Sequence, residues 1–312
     1  MSEGRLNPFC TPGFDRTPMR PLCPWKHPEH DKYYVDLDNT GPAFDTFVEG
    51  VGLDALDDEG QLTLVTGESG CGKTALVHRC ADWFARKLRE DRHVDSAVID
   101  LTNALNGRPQ MAIEDRLAAV CQELLTELRV RGLVRPDAFD DLGDDRTNPD
   151  VVYRTLPNAM HENTVLIVLL PTPGELRREV FRYTKLASSS RRTLLFAESA
   201  MFDEQDLENI VLLHETWAPP VTPRVGQLRQ GDVREFVLDR LDRYADLGIY
   251  PRMSPETMEA LAKMVSSVGR LQRTLYGTYE TRRRSRRSYD ENSWVTVEDI
   301  VDFLGEASGG SG

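Results

Sequence analysis

The stretch Gly67-Glu68-Ser69-Gly70-Cys71-Gly72-Lys73-Thr74 decides the fold of this 312-residue chain. It is a complete G-x-x-x-x-G-K-T loop. The apolar run Leu62-Thr63-Leu64-Val65 precedes it, and a helical pattern of Val77, Ala81, Phe84 and Leu88 follows. Strand, glycine loop and helix in that order are the setting a phosphate-binding loop requires. Glycines let successive backbone N–H groups turn inward on a phosphate, and the helix N-terminus adds the positive end of its dipole. In such a loop Lys73 reaches the terminal phosphates and the Thr74 hydroxyl holds Mg2+. The candidate binding segment is therefore Gly67, Glu68, Ser69, Gly70, Cys71, Gly72, Lys73, Thr74 and Ala75, with ATP and Mg2+ as its cofactors. Lys73 is also a candidate catalytic residue.

Working outward, residues 46–215 alternate between strand-like and helix-like segments. The strand candidates are 61–66, 95–101, 164–170, 192–198 and 210–214; the helix candidates are 43–57, 73–90, 111–132, 148–160 and 174–187. The run Val165-Leu166-Ile167-Val168-Leu169-Leu170 is apolar without alternation, as in a strand buried on both faces of a parallel sheet. Strands alternating with helices predict an α/β domain, a parallel sheet covered by helices. From about 226 onward the pattern is helical only. Segments are predicted at 231–243, from Ser254-Pro255 (an N-cap followed by proline at the first helical position), at 269–284 and from Thr296.

The predicted organisation is an arm at 1–45, a nucleotide-binding domain at 46–225, a small all-α domain at 226–305 and a flexible tail at 306–312. The arm carries Pro8, Pro12, Pro18, Pro21, Pro24, Pro28 and Pro42, which argue for extended backbone. Its Phe9, Phe14, Trp25, Tyr33 and Tyr34 suggest that it lies on the body. There is no apolar run long enough for a membrane span and no secretory h-region after Met1-Ser2-Glu3-Gly4-Arg5. Five cysteines without regular spacing argue against a disulfide framework and for a reducing cytoplasm. The net charge of −13, from 51 acidic and 38 basic residues, is unlike that of a chain that binds nucleic acid over its whole surface. Arg270, Arg273, Arg282, Arg283, Arg284, Arg286 and Arg287 nevertheless crowd one stretch. The 282–287 run is a candidate contact for DNA or RNA phosphates.

A loop of this kind followed by a helical domain resembles the AAA+ ATPases, in particular the ExeA, origin-recognition and transposition-regulator type. The likeness covers about residues 45–305, with an upstream Asn7-Pro8-Phe9. It rests on the loop, on Leu228–Leu241 and on Val268-Gly269-Arg270-Leu271-Gln272-Arg273 followed by Val295-Thr296-Val297-Glu298-Asp299-Ile300. The resemblance implies a helical-domain arginine that touches the γ-phosphate, and Arg270 and Arg273 compete for that role. It implies a homo-oligomeric ring or filament in which a neighbour's arginine completes the site. Arg224 is the candidate for that finger, with Arg191 and Arg192 as others.

The family also implies an Asp-Glu pair at the tip of the third strand. Here that strand ends Leu169-Leu170-Pro171-Thr172-Pro173-Gly174-Glu175, with no carboxylate at the tip and Glu175 displaced toward the next helix. Without a positioned acid, water activation weakens while nucleotide binding survives. Glu198, at the end of 192–198, is the candidate substitute acid, because the family's sheet order places its strand between the loop strand and the third strand. Ser199 then takes the neighbouring position that orients water. Asp100 would fall at the sheet edge. Cys10, Cys23, His27 and His30 are ligand types that suit zinc, in a proline-interrupted spacing that is no zinc knuckle. Cys71 lies near a helix N-terminus, where thiol pKa values fall.

Three readings of function follow. The first is an ATP-dependent regulator on DNA. The second is a signalling or defence NTPase that recruits a protein effector. The third is a nucleotide-stabilised scaffold without turnover. Common to all is an ATP/Mg2+-binding switch with weak hydrolysis that assembles or engages a partner.

Overall fold

Gln61–Thr66 forms β1, all but its first residue buried. The computed structural model describes residues 4–14, 19–106, 111–138, 145–174, 176–200, 218–285 and 287–309. Three further strands, β2 (Asp95–Asp100), β3 (Thr164–Leu169) and β4 (Thr193–Ser199), join β1 in a parallel sheet of order β1-β4-β3-β2. The strand of Glu198 and Ser199 thus lies between the loop strand and the third strand, and Asp100 is on the edge strand. The other edge of β1 is paired in parallel by residues 221–224: Leu64 N–H donates to Val221 O at 2.8 Å and Thr66 N–H to Pro223 O at 2.9 Å. The predicted strand at 210–214 lies outside the described residues.

Helix α1 (Thr40–Gly50) precedes β1, and α2 (Lys73–Arg92), α3 (Ile113–Val130), α4 (Pro149–Ala159) and α5 (Leu176–Ser188) lie between the strands. The predicted helix 43–57 breaks into α1 and a short 3-10 turn at Ala55–Asp57. Gly50 ends α1 and Gly52 stands in the gap that follows, and glycine is a poor helix former. Asn148 caps α4 by accepting from the Asp150 N–H, and Pro149 takes the first helical position. Alternate residues of each strand face opposite layers. Leu62, Leu64, Ile99, Leu166, Val168, Leu195 and Ala197 pack with α3, α4 and α5. On the opposite face Phe196 packs on Phe47 of α1, with ring centroids 5.6 Å apart, and Phe47 meets Trp83 and Phe84 of α2.

By its internal contacts the chain divides into two compact units. One is Pro42–Glu68 with Leu76–Arg224; the other is Met1–Gly41 with Ser69–Ala75 and Val225–Gly312. The first 41 residues group with the helical unit. That unit contains α6 (Asp232–Tyr244), α7 (Pro255–Met264), α8 (Val268–Arg284) and α9 (Val297–Gly309). It is not wholly helical: Arg252–Met253 (β5) and Trp294–Val295 (β6) pair in parallel. Two-residue strands are too short to carry a period, so no sequence pattern announces them. The arm likewise contains a 3-10 turn at Pro28–Tyr33 where extended chain was expected, started by a proline in its first turn. The last helix continues to Gly309, past the predicted start of the tail.

Candidate functional site

The loop after β1 carries three glycines at positive φ, Gly67 (144°), Gly70 (83°) and Gly72 (84°). L side chains rarely enter that region, so the glycines are what permits the wrap. The helix α2 begins at Lys73, with no acidic residue in its first turn to neutralise the positive end of its dipole. Lys73 and Thr74 are half-buried at this start, and Glu68, Ser69 and Gly70 are exposed. A glycine-wrapped loop with Lys-Thr opening a helix fits the phosphates of a nucleotide. Cys71 is 1% exposed, so its thiol is a packing group and not an accessible one.

Within the helical unit, the N-terminus of α8 is packed on this loop. Gly269 N–H donates to Gly70 O at 2.8 Å. A methyl group added at Gly269 would lie 3.0 Å from Gly70 O, and one added at Gly72 would lie 3.3 Å from Val268. Ser267 caps α8 by accepting from the Arg270 N–H. Arg273 lies one turn beyond Gly269, on the same face of the helix, whereas Arg270 is rotated about 100° away. Both arginines are exposed. Tyr34 of the arm donates its hydroxyl to Ala75 O at 2.9 Å, so the arm also meets the start of α2. Nothing in the sequence marks Tyr34 for this. Ser267 and Gly269 carry a legible signal, a capping serine two residues before the glycine that opens the helix.

Within the sheet unit, Glu198 and Ser199 end β4 opposite Val65 and Thr66 of β1, and Gly67 N–H donates to Ser199 O at 3.2 Å. Strand alternation turns Ser199 toward the α3–α5 layer and Glu198, half-buried, toward the layer of α1 and α2. Arg224 is exposed and paired beside Thr66, at the end of β1 that feeds its own chain's loop. Arg191 and Arg192 lie at the opposite end of β4, where Arg192 pairs with Asp57. Asp100 accepts from the Thr102 hydroxyl at 2.7 Å.

The segment that would carry the missing acid pair is held by a buried ion pair instead. Arg116 of α3 meets both oxygens of Glu179 at 3.2 Å and donates to Thr172 O at 3.0 Å. Gly174 N–H donates to Glu179 at 2.7 Å. Arg116 and Glu179 are too far apart in sequence for periodicity to couple them. Glu175 lies outside the described residues.

Two other sequence candidates are reshaped by their surroundings. The described arginines at 282–287 are engaged within the helical unit. Arg282 pairs with buried Asp299, Arg287 with Asp299 and Asp302, and Arg283 and Arg284 with Glu280. Burial raises the Asp299 and Glu280 carboxyls, but their arginine partners and, for Asp299, the Thr296 N–H outweigh it, so both are held below the ordinary range. In the arm, side-chain atoms of His27, Glu29 and His30 lie within 4.8 Å of one another. Both His30 nitrogens are committed, however: Nδ1 accepts from the Cys23 N–H at 2.8 Å and Nε2 donates to Pro12 O at 2.7 Å. His30 is a fold residue, and burial lowers its pKa.

Asp38 stands apart. It is 1% exposed, at φ 44°, with one oxygen accepting from Thr40 and the other, Oδ2, without a hydrogen bond. Burial, with the Asp232 carboxyl nearby, raises its pKa to about 7; the Thr40 hydroxyl and Arg229 oppose this. A carboxyl raised on folding favours the native state below its unfolded pKa and loses that contribution as pH rises through the folded value. Stability should therefore decline between about pH 4 and 7 on this account. Asp38→Asn, which removes the charge and suits positive φ, should stabilise by on the order of 2 kcal/mol at pH 8 and by roughly a third of that at pH 5. Urea melts of both proteins from pH 5 to 8 test this; parallel curves would refute it.

The chain has the fold of the AAA+ P-loop ATPases. It is similar to the ORC1 protein of Aeropyrum pernix, solved in complex with DNA. Identity is 14% and the TM-score 0.56, over 90% of this chain and 68% of that one. It is similar to Drosophila ORC bound to DNA (12%, TM-score 0.53, 89% and 64%) and to a Walker-type ATPase of Pyrococcus abyssi (13%, 0.51, 88% and 73%). No protein-family model and no curated protein matches the chain. No helix among the described residues is long and apolar enough to cross a membrane.

Proposed function

We propose that this chain is an ATP- and Mg2+-binding switch with weak hydrolysis, which on binding nucleotide assembles into a ring or filament and engages a protein partner. One observation carries the reading: the N-terminus of α8 sits on the glycine loop through Gly269 and Gly70. Phosphates entering the loop would meet a group that reports to the whole helical unit. Lys73 and the loop N–H groups would hold the phosphates and Thr74 the metal ion. Arg273 would reach the γ-phosphate, favoured over Arg270 by its place on the Gly269 face. Glu198 would polarise water with Ser199 orienting it, and Arg224 would complete the site in the assembly. Weak turnover follows from a third strand whose tip is braced by Arg116 and Glu179 and offers no acid pair. The ion pairing of the described 282–287 arginines favours a protein effector or scaffold role over a DNA contact there, so a DNA-bound reading needs another surface.

ATP turnover measured across protein concentrations, beside Glu198→Gln, is the test. Turnover per chain should rise with concentration and fall about 100-fold or more in the variant, a typical general-acid-base contribution. Turnover undiminished in Glu198→Gln would remove Glu198 from catalysis, and binding without turnover at any concentration would leave the scaffold reading.

A further inference from the structure

At the end of α6 the helical unit opens a cavity of about 360 Å³, bounded by Leu238, Leu241, Tyr250, Met253 and Trp294. That is the lower end of the roughly 300–1,000 Å³ of small-ligand pockets and suits one large apolar side chain. Its margin is unusually bare. Trp294 is 48% exposed, Leu238 37%, and Leu247 and Ile249, which flank the cavity-lining Gly248, are 66% and 43% exposed. Two of the seven exposed large apolar residues among the described ones, Leu238 and Trp294, line the cavity, and Leu247 and Ile249 are chain neighbours of its Gly248, with the Ile249 backbone paired to residues 4–6 of the arm. Asp242 and Glu291 line the cavity with one cation, Arg252. Asp246, beside Leu247, is also exposed. The field is net acidic: burial raises the Tyr250 hydroxyl, Asp242 and Asp246 raise it further, and Arg252 only partly opposes them.

An apolar hole with aromatic walls and an acidic rim is complementary to an apolar anchor carried between cations. Phosphate polymers would be repelled by the same rim. We infer that this cavity docks a protein partner through a basic segment with a Leu, Met or Phe anchor. The anchor fills the space between Leu238 and Trp294, and Lys or Arg on either side meet Asp242, Asp246 and Glu291. The proposal goes beyond the nucleotide reading and holds without it.

The test uses the full chain and a fluorescein-labelled peptide, Lys-Arg-Leu-Phe-Arg-Lys, with Glu-Asp-Leu-Phe-Asp-Glu as its counterpart, read by anisotropy. The basic peptide should bind, and weaken at least tenfold both in the double variant Asp242→Lys, Glu291→Lys and in Trp294→Ala. Its affinity should fall with salt, and the acidic peptide should not bind. The substituted side chains are exposed, so melting temperature and ATP affinity should stay those of the parent and show that the variants fold. Failure of the basic peptide to bind, equal binding of both peptides, or indifference to the variants would overturn the proposal. So would self-association abolished by Leu247→Glu, which would assign the patch to a second copy, or binding to phosphatidylcholine vesicles abolished by it.

Discussion

Lys73→Ala is expected to lower ATP affinity about 30-fold or more while leaving the apo protein's melting curve unchanged. Truncating one partner of a charge-assisted pair costs about 2–5 kcal/mol, and each 1.4 kcal/mol is roughly tenfold in affinity. Lys73 is half-buried at the first position of α2. Its loss opens no large void, and stability and binding should separate. Titration of a fluorescent ATP analogue, with a thermal melt of the same samples, reads both quantities. The contrast with Gly269→Ala is informative. That methyl group would press on the Gly70 backbone from the helical unit, so it should weaken ATP binding without removing any charge. Unchanged affinity in Lys73→Ala would mean that the loop is not the nucleotide site.

The loop was legible because its glycines, lysine and threonine act through local backbone geometry, which sequence spacing encodes directly. The sheet core was legible for a similar reason: Val165–Leu170 has no polar alternation because both faces of β3 are covered. What was illegible depends on distant pairs. Arg116 and Glu179 brace the segment after β3 from two different helices. Tyr34 meets Ala75 from the arm. The outer pairing of β1 comes from residues 221–224, where Pro223, with Pro219 and Pro220 just before, keeps the segment from reading as a strand. The 282–287 arginines have partners that the run itself does not show. A run of like charge reads as a patch until its partners Glu280, Asp299 and Asp302 are placed beside it, and two of these lie a helix away.

The arm shows how far such a distant contact extends. Phe9 is fully buried in the core of the helical unit, 4.9 Å from the Tyr279 ring edge-to-face and 6.4 Å from Phe236. Its carbonyl accepts from Gln272, and Asn7 donates to Tyr276 O. Phe9→Ala should destabilise this unit by about 3–5 kcal/mol, the lost burial plus the void left behind. Phe9→Leu, which keeps much of the volume, should cost considerably less. Hydrogen exchange in residues 225–309 reads the effect locally. Leu271, Leu275 and Tyr279 of α8 belong to the same core as Phe9, and the first turn of that helix holds Gly269 against Gly70. Loosening the core should therefore also weaken ATP binding, though the substitution touches no loop residue. Unchanged exchange in Phe9→Ala would show that the arm merely lies on the unit. Faster exchange with ATP affinity intact would show that the seat of α8 on the loop does not matter for the nucleotide.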